Sequence, residues 1–190
     1  GSGGKTVGKM LAEDLGIHFY DREIIRLASD ESGISEQLFG AADEAPKSGI
    51  LGRIAKKVYT GEVLPPDSDD FVSTDNLFNY QAKIIKQIAE EESCVIIGRC
   101  ADFVLREHEN VLSIFIQAPL ADRVARISEK YLIEIPTEAK KEVLRNDKLR
   151  RSYYQFYTDQ KWADLANYHI VLDSGVIGIE KCIDIIADLY

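Results

Sequence analysis

The sequence predicts an α/β protein with a mostly parallel sheet, and two kinds of pattern point to this fold class. Short continuous apolar runs such as "CVIIG" and "VLSIFIQA" are typical of parallel strands that are buried on both faces. Segments with apolar residues at helical spacing, such as "NLFNYQAKIIKQIAEEE", separate these runs. This alternation along 190 residues favours one α/β domain of helices flanking a sheet.

The first third of the chain is predicted to begin with a helix, a strand and a second helix. In "TVGKMLAEDL", residues 6–15, the apolar side chains recur at helical spacing, and Gly16 is a typical helix stop. The run "IHFYD" predicts a strand, and "REIIRLASDE" predicts the next helix. Residues 40–75 are richer in glycine, proline and acidic residues, and only "GILGRIAKKVY" has a helical pattern there. We expect a mobile insertion or cap in this region.

From Asp75 the alternation becomes regular. The predicted order is the helix "NLFNYQAKIIKQIAEEE", the strand "CVIIG", the short helix "ADFVLRE", the strand "VLSIFIQA" and the helix "PLADRVARISEK", which has proline at its start. A long polar helix follows in "TEAKKEVLRNDKLRRSYYQFYTDQKW", then the strand "YHIVLDS" and the amphipathic helix "GIEKCIDIIADLY".

Composition narrows the class of function. The formal net charge of −9 argues against a protein that coats nucleic acid. Cys94, Cys100 and Cys182 show no paired spacing, and an odd number of cysteines suits a reducing compartment. No apolar stretch approaches the roughly 18–20 residues of a membrane span. We therefore expect a cytoplasmic protein without a membrane or nucleic-acid partner, whereas the sequence carries no signal for the oligomeric state.

The opening stretch "GSGGKTVGKM" has the composition of a phosphate-binding loop that leads into a helix. Glycines let backbone N–H groups converge on phosphate oxygens, and the start of the helix adds positive charge. In one register, Lys5 supplies the lysine and Thr6 the hydroxyl that holds magnesium. In the other register, residues 3–9 keep the glycine spacing and end in Lys9, but a methionine stands where the hydroxyl belongs.

The same stretch is open to a second interpretation, because a Gly/Ser-rich start is also typical of an artificial linker. A phosphate-binding loop joins a central strand to a helix. Under the loop interpretation, the first strand of the sheet is therefore expected to be missing from the chain as given.

Basic residues recur where an open α/β sheet binds ligands. Arg99 follows the strand "CVIIG" directly, at the carboxyl end where such sheets place their sites, and its planar guanidinium suits a phosphate. Farther along, the helical segment "RNDKLRRSYY" carries Asp147 and Arg150 three residues apart, which places both on one helix face. The alternatives are a surface salt bridge for Arg99 and a solvated helix face for the later charges.

The order of these segments resembles the nucleoside-monophosphate kinases, and among them the cytidylate kinase-like family. The opening "GSGGKTVGKMLAEDLGIHFYDREII" is similar to that family's glycine-rich loop, first helix and following strand. "CVIIGRCADFVL" resembles its Gly-Arg segment, and "RNDKLRRSYYQFYTDQKWADLANYHIVLDS" resembles its lid and last strand.

The resemblance implies a P-loop kinase fold over residues 1–190, a parallel sheet flanked by helices. An NMP-binding insertion would occupy about 35–75 and a lid region about 128–160. It also implies transfer of the ATP γ-phosphoryl group to a nucleoside monophosphate, CMP or dCMP, with Mg²⁺. A kinase of the same fold for another small acceptor, and a non-catalytic ATP-binding module, remain as alternatives.

On the ATP side, the resemblance implies phosphate contacts from the loop and lid, with magnesium on Thr6. The residues concerned are Gly1, Ser2, Gly3, Gly4, Lys5, Thr6, Arg145 and Arg151. On the acceptor side, it implies contacts from Asp21, Arg99, Asp147 and Arg150. The charges that neutralise the transferring group would come from Lys5, Arg99 and Arg150.

The chain departs from the family pattern at three positions. Cys100 follows Arg99 where cytidylate kinases have an aspartate, and Asp102 is the nearest acidic residue. The helix "NLFNYQAKIIKQ" lacks the family's acceptor arginine, and Gln81 is its nearest polar candidate. The family's lysine reaches Lys5 only with a shift of one residue.

Overall fold

The computed structural model of the protein describes residues 1–44 and 61–190, which form the α/β arrangement that the sequence predicts. In chain order the elements are α1 (Gly4–Leu15), β1 (His18–Tyr20), α2 (Glu23–Ser32), α3 (Glu36–Glu44), α4 (Thr74–Glu91), β2 (Cys94–Ile96), α5 (Ala101–Val104), β3 (Ile114–Gln117), α6 (Leu120–Tyr131), α7 (Pro136–Thr158), a 3₁₀ turn (Leu165–Asn167), β4 (Ile170–Asp173) and α8 (Ile179–Ala187). The helix predicted in "GILGRIAKKVY" lies outside the described residues.

The described strands form two parallel pairs. Strand β1 pairs with β2, with Tyr20 opposite Ile96, and β3 pairs with β4, with Gln117 opposite Asp173. Parallel pairing aligns the carboxyl ends of both partners, so the segments that follow each strand meet at one edge. This edge carries the candidate site.

Helix α1 packs on both strand pairs. Gly4 lies against Ile116 of β3, and Gly8 lies against Val95 of β2, where a Cβ would come within 3.2 Å of the valine side chain. The helix ends at Gly16, as predicted, in the left-handed conformation that glycine adopts without steric cost. On its other side α1 buries Val7 and Leu11 in a small core with α8.

A larger core joins helices α2, α3, α4, α5 and α7. Ile24, Phe39 and Ile85 are completely buried in it. Helix α3 lies within the insertion that the resemblance implies at about 35–75, in a stretch where the sequence pattern gave no helix. Phe39 explains why the helix forms, because one large apolar side chain docks it against its neighbours.

Aromatic side chains fix the end of α7 on the rest of the protein. Phe78 of α4 stacks on Tyr157 with ring centroids 4.0 Å apart. Just beyond α7, Trp162 packs edge-on against Phe115 of β3 at 5.4 Å. The aromatic-rich stretch after "RNDKLRR" thus serves packing, as is common for such side chains.

A polar cluster joins the amino ends of β1 and β2, at the edge opposite the candidate site. Tyr20 donates a hydrogen bond of 2.5 Å to Glu92, and the His18 ring contacts the same carboxylate at 2.8 Å. These bonds raise the pKa of His18 and lower that of Glu92. Within residues 1–44 and 61–190, no helix has the length and hydropathy needed to span a membrane.

The neighbouring tyrosines of α7 give the first prediction. The hydroxyl of Tyr153 is buried without a hydrogen-bond partner among the described residues, whereas Tyr154 donates to Asp102 at 2.5 Å. We expect Tyr153→Phe to leave the free energy of unfolding unchanged or to raise it by up to about 1 kcal/mol, because it removes an unsatisfied group. Tyr154→Phe should lower the free energy of unfolding by about 1–3 kcal/mol, because it leaves the Asp102 carboxylate without this hydrogen-bond donor. Urea denaturation of both variants measures this difference, and equal losses would contradict it.

The cluster at His18 gives a prediction about pH. A raised His18 pKa contributes stability that is present below its ordinary value of 6.5 and is lost as the pH rises through the folded-state pKa. A lowered Glu92 pKa contributes stability that is present above 4.5 and is lost as the pH falls through the folded-state pKa. We therefore expect the cost of His18→Gln to be largest between these two values and to shrink toward alkaline pH.

The measurement is the free energy of unfolding of wild type and His18→Gln from pH 5 to pH 9 at low salt. The matched control is the same substitution in a Glu92→Gln background, where the pH dependence should disappear. A cost of His18→Gln that does not vary with pH would show that the charge pair contributes nothing.

Candidate active site

The loop at residues 1–3 is held by side chains from α6 and from the end of β4. Gly3 has φ of 87°, a left-handed conformation that a glycine supplies at no cost. The Ser174 hydroxyl donates to the carbonyl oxygen of Ser2 at 2.6 Å. Arg126 donates to the Ser174 hydroxyl at 2.9 Å and to the carbonyl oxygen of Gly1 at 3.3 Å. The loop backbone is therefore fixed before any ligand binds.

The start of α1 is open to an anion. The helix has no side-chain cap among the described residues, and its first turn carries no acidic residue. The first N–H groups of a helix lack partners within the helix, and the macrodipole makes this end positive. Thr6 is exposed in this first turn. A cradle of this kind fits a phosphate group.

Lys5 extends from the first turn of α1 to the carboxyl end of β1. Its Nζ atom lies 2.5 Å from a carboxylate oxygen of Asp21, and the lysine side chain is 59% exposed. An exposed pair of this kind contributes roughly 0–1 kcal/mol, so Lys5 can exchange Asp21 for another anion at low cost. Lys9, in the alternative register, lies 3.6 Å from Glu13 on its own helix.

Arg99 lies at the carboxyl end of β2, in a turn with three successive left-handed residues, Gly98, Arg99 and Cys100. Its side chain is 11% exposed, and its Nη1 atom is 2.5 Å from Asp43 and 2.7 Å from Gln81. Its Nε atom donates to the carbonyl oxygen of Asp21 at 3.1 Å. Asp21 thus contacts both predicted phosphate-binding cations, Lys5 through its carboxylate and Arg99 through its backbone.

Helices α6 and α7 bring further charges to the loop. Arg123 donates to the buried Asp147 at 2.6 Å. Arg150 is exposed, and no ion pair to it is recorded within the described part of the chain. The backbone of Arg123 lies against Gly1, where an added Cβ would come within 2.6 Å of the Arg123 carbonyl oxygen. Arg123 therefore borders the position where the loop begins.

The other predicted lid arginines have partners within their own helix. Arg145 donates to Glu142 at 2.8 Å, and Arg151 donates to the backbone carbonyl of Asp147 at 3.2 Å. The structure thus places Asp147 against Arg123, beside the loop, and pairs Arg145 and Arg151 within α7.

Cys100 and Asp102, which follow Arg99, have structural roles. Burial raises the pKa of the Cys100 thiol well above its usual range, which makes the thiol unreactive. Burial also raises the pKa of Asp102, whose carboxylate accepts the hydrogen bond from Tyr154. Asp102 is engaged in fixing α7, so it does not stand in for the aspartate that cytidylate kinases have after the arginine.

Three residues of the site were missed by the sequence analysis: Asp43, Arg123 and Arg126. Asp43 lies 56 residues before Arg99, in the stretch without a clear helical pattern, so no local signal pointed to it. The two arginines were detectable, because they lie three residues apart in the first turns of a helix that directly follows a buried strand. Such a helix start faces the carboxyl edge of the sheet.

Comparisons with known proteins identify the family of the chain. The sequence model of the cytidylate kinase-like family matches residues 1–176. A cytidylate kinase of Methanosarcina mazei is 28% identical over 188 residues, which is 98% of this chain and 89% of the relative. A cytidylate kinase of Methanococcus aeolicus is 32% identical over 102 residues, and that match spans 53% of this chain and 57% of the relative.

A solved structure has the same fold. The crystal structure of an uncharacterized protein from Eubacterium ventriosum superimposes with a TM-score of 0.70 at 26% identity, covering all of this chain and 91% of that one. The family match extends over most of the chain, from the glycine loop to the end of β4. The chain therefore belongs to the cytidylate kinase-like family.

Proposed function

We propose that the protein transfers the γ-phosphoryl group of ATP to a nucleoside monophosphate, with CMP or dCMP as the acceptor. The observation that carries this proposal is a glycine loop fixed by Arg126 and Ser174, with Arg123 beside it and Lys5 in the first turn of a helix that has no side-chain cap among the described residues. Such an arrangement suits a polyphosphate, whose charge needs several donors at once. The family and the names of the two archaeal relatives support a nucleotide kinase.

The loop and α1 form the phosphate-binding part of the proposed site. The glycines keep its backbone accessible, Lys5 leaves its weak pair with Asp21 for a phosphate oxygen, and the exposed Thr6 hydroxyl is the residue that would hold Mg²⁺. Bound magnesium would supply neutralisation of phosphate charge. Arg126 and Ser174 hold the loop backbone in place and are assigned no contact with the substrate.

The chemistry of phosphoryl transfer needs little from the protein beyond position and charge. The transition state is loose, with charge on the equatorial oxygens, so Lys5, Arg99 and Arg150 would act by electrostatic stabilisation. No general base is required, because the attacking acceptor oxygen is already anionic. Exclusion of water by the proposed lid at about 128–160, which contains the end of α6 and all of α7, would protect the phosphoryl group from hydrolysis.

The acceptor would lie between Arg99 and Asp147, beside the proposed NMP-binding insertion at about 35–75. Asp147 has one carboxylate oxygen bonded to Arg123, which leaves the other for the acceptor. Arg99 is anchored by Asp43 and Gln81. Asp21 would be free to contact the acceptor once Lys5 turns to phosphate.

We also propose that a further strand completes the sheet between β2 and β3. Each of these strands pairs with one neighbour in the described part of the chain, and their apolar side chains, such as Val95 and Ile116, remain half-buried. Helix α1 spans both pairs. A strand in this position would end at Gly1 and lead into the loop, as in a P-loop fold.

A second candidate, a kinase for another small acceptor, is favoured by one observation. Arg99 contacts the carboxylate of Asp43 and the uncharged amide of Gln81, so part of its positive charge is already neutralised before a phosphate dianion binds. An acceptor with less charge would fit such a site.

The substrate panel is the test of the proposal. Coupled ADP release should be measured with ATP and Mg²⁺ across CMP, dCMP, UMP, AMP, GMP and shikimate, using the full natural chain. We expect fast turnover with CMP or dCMP. Turnover with another acceptor alone would favour the second candidate, and ATP binding without turnover on the whole panel would leave a non-catalytic ATP-binding module.

Removal of Arg150 should separate catalysis from folding. Because Arg150 is exposed and is proposed to neutralise the transferring group, we expect Arg150→Ala to lower kcat on the order of 10²–10³ fold without changing the free energy of unfolding. The matched control is Lys148→Ala, which removes an exposed positive charge two residues away on the same helix. Similar kcat values for the two variants would contradict a role for Arg150 in transfer.

A further inference from the structure

Arg99 is held by three acceptors that use two of the three nitrogens of its guanidinium. The Nε atom donates to the carbonyl oxygen of Asp21, and Nη1 donates to both Asp43 and Gln81. A guanidinium carries five N–H donors, so three are used and the two on Nη2 remain. In the described part of the chain, Nη2 donates to no residue and is not among the buried side-chain atoms without a partner, so these residues leave it accessible.

Asp43 and Gln81, which anchor Arg99, are also hydrogen-bonded to each other. Gln81 is 1% exposed, and its Nε2 atom donates to the second carboxylate oxygen of Asp43 at 3.2 Å. Asp43 thus receives hydrogen bonds from both Arg99 and Gln81, and each of the three side chains contacts the other two. This triangle fixes the plane of the guanidinium, and with it the direction in which Nη2 points.

Burial keeps Arg99 in this position. Its side chain is 11% exposed and that of Asp43 is 21% exposed. A charge this little exposed is strongly destabilised when it loses its partner, so Arg99 does not leave Asp43 as readily as Lys5 leaves Asp21. The guanidinium can therefore offer its Nη2 group to a ligand but cannot swing out to meet one.

We propose that Asp43 and Gln81 are positioning residues, which hold Arg99 so that its Nη2 group meets the phosphate of the acceptor. This inference rests on the proposed function, since it assigns the acceptor side of the same site. Asp43 then neutralises part of the charge with which Arg99 attracts an anion, and it fixes the orientation of the guanidinium. A fixed donor pair suits a group that must lie in line with the transferring phosphoryl group, where a displacement of about 1 Å costs on the order of 10² in rate.

Charge and orientation predict opposite results for Asp43→Asn, and this makes the proposal testable. If Asp43 only competed with the acceptor for Arg99, its neutralisation would strengthen binding of a phosphate. If Asp43 positions Arg99, the same change loosens the guanidinium and weakens the binding. The side chains are nearly equal in size, so packing of α3 is disturbed little.

The kinetic experiment compares Asp43→Asn and Gln81→Met with wild type, using CMP or the best acceptor of the panel. We expect the acceptor KM to rise roughly 10–100-fold in both variants, while the KM for ATP stays within about 2-fold. The matched control is Lys83→Met, which breaks the pair between Lys83 and Glu31 that also ties α4 to a neighbouring helix. The control should change neither constant. A lower or unchanged acceptor KM in a folded Asp43→Asn protein would overturn the proposal.

A readout without catalysis keeps the inference separate from the proposed function. Nitrogen-15 NMR of arginine side chains reports rotation about the bonds of the guanidinium, and the Arg99 signal is assigned by its loss in Arg99→Lys. We expect slow rotation in wild type, faster rotation in Asp43→Asn, and a shift of the wild-type signal on titration with inorganic phosphate. Should no nucleotide be phosphorylated, this shift would still support the positioning role. Equal rotation rates, or no response to phosphate, would overturn it.

Discussion

The parallel register of β1 and β2 is the constraint on which the site depends. Tyr20 lies opposite Ile96, and the N–H of Ile97 donates to the carbonyl oxygen of Tyr20 at 2.9 Å. The chain therefore leaves β1 at Asp21 and β2 at Gly98 at the same edge of the sheet. A slip of one residue would turn the side chains of a strand to the opposite face and separate Asp21 from Arg99. The cluster at Glu92 joins the other ends of the same strands and so supports this register from the far edge.

The charges around the loop fall into two groups that differ in freedom. Lys5 forms an exposed pair, and Arg150 is exposed without a recorded ion pair in the described part of the chain, so both can follow a ligand at little cost. Arg99 is nearly buried and lies 2.5 Å from Asp43, and Arg123 is nearly buried and lies 2.6 Å from Asp147. These two arginines keep their positions, because a buried charge is costly to separate from its partner. A phosphoryl transfer site needs both kinds, since some donors must define where the substrate lies and others must follow the charge as it moves.

The sequence predicted the elements whose patterns are local. The first helix and its stop at Gly16, the four apolar strands and the long helices all follow from spacing within a few residues. The turn at Arg99 was recognised because it follows a strand directly. Helix α3 was not predicted, because its own apolar pattern is short and its position depends on one buried phenylalanine. The partners of Arg99 could not be predicted, since Asp43 is brought to it by tertiary packing over 56 residues. The departure at Gln81 was noticed in the sequence, but its meaning became clear only from its contacts with Arg99 and Asp43.

The packing of Trp162 gives the protein an optical property. It is the single tryptophan of the chain, and it lies edge-on to Phe115 beside the end of α7. Its fluorescence therefore comes from one known place, between a strand of the sheet and the helix that carries Asp147 and Arg150. Any rearrangement of that helix relative to the sheet would change the surroundings of the indole ring. The unmodified protein thus contains its own emission signal for the region where nucleotide is proposed to bind.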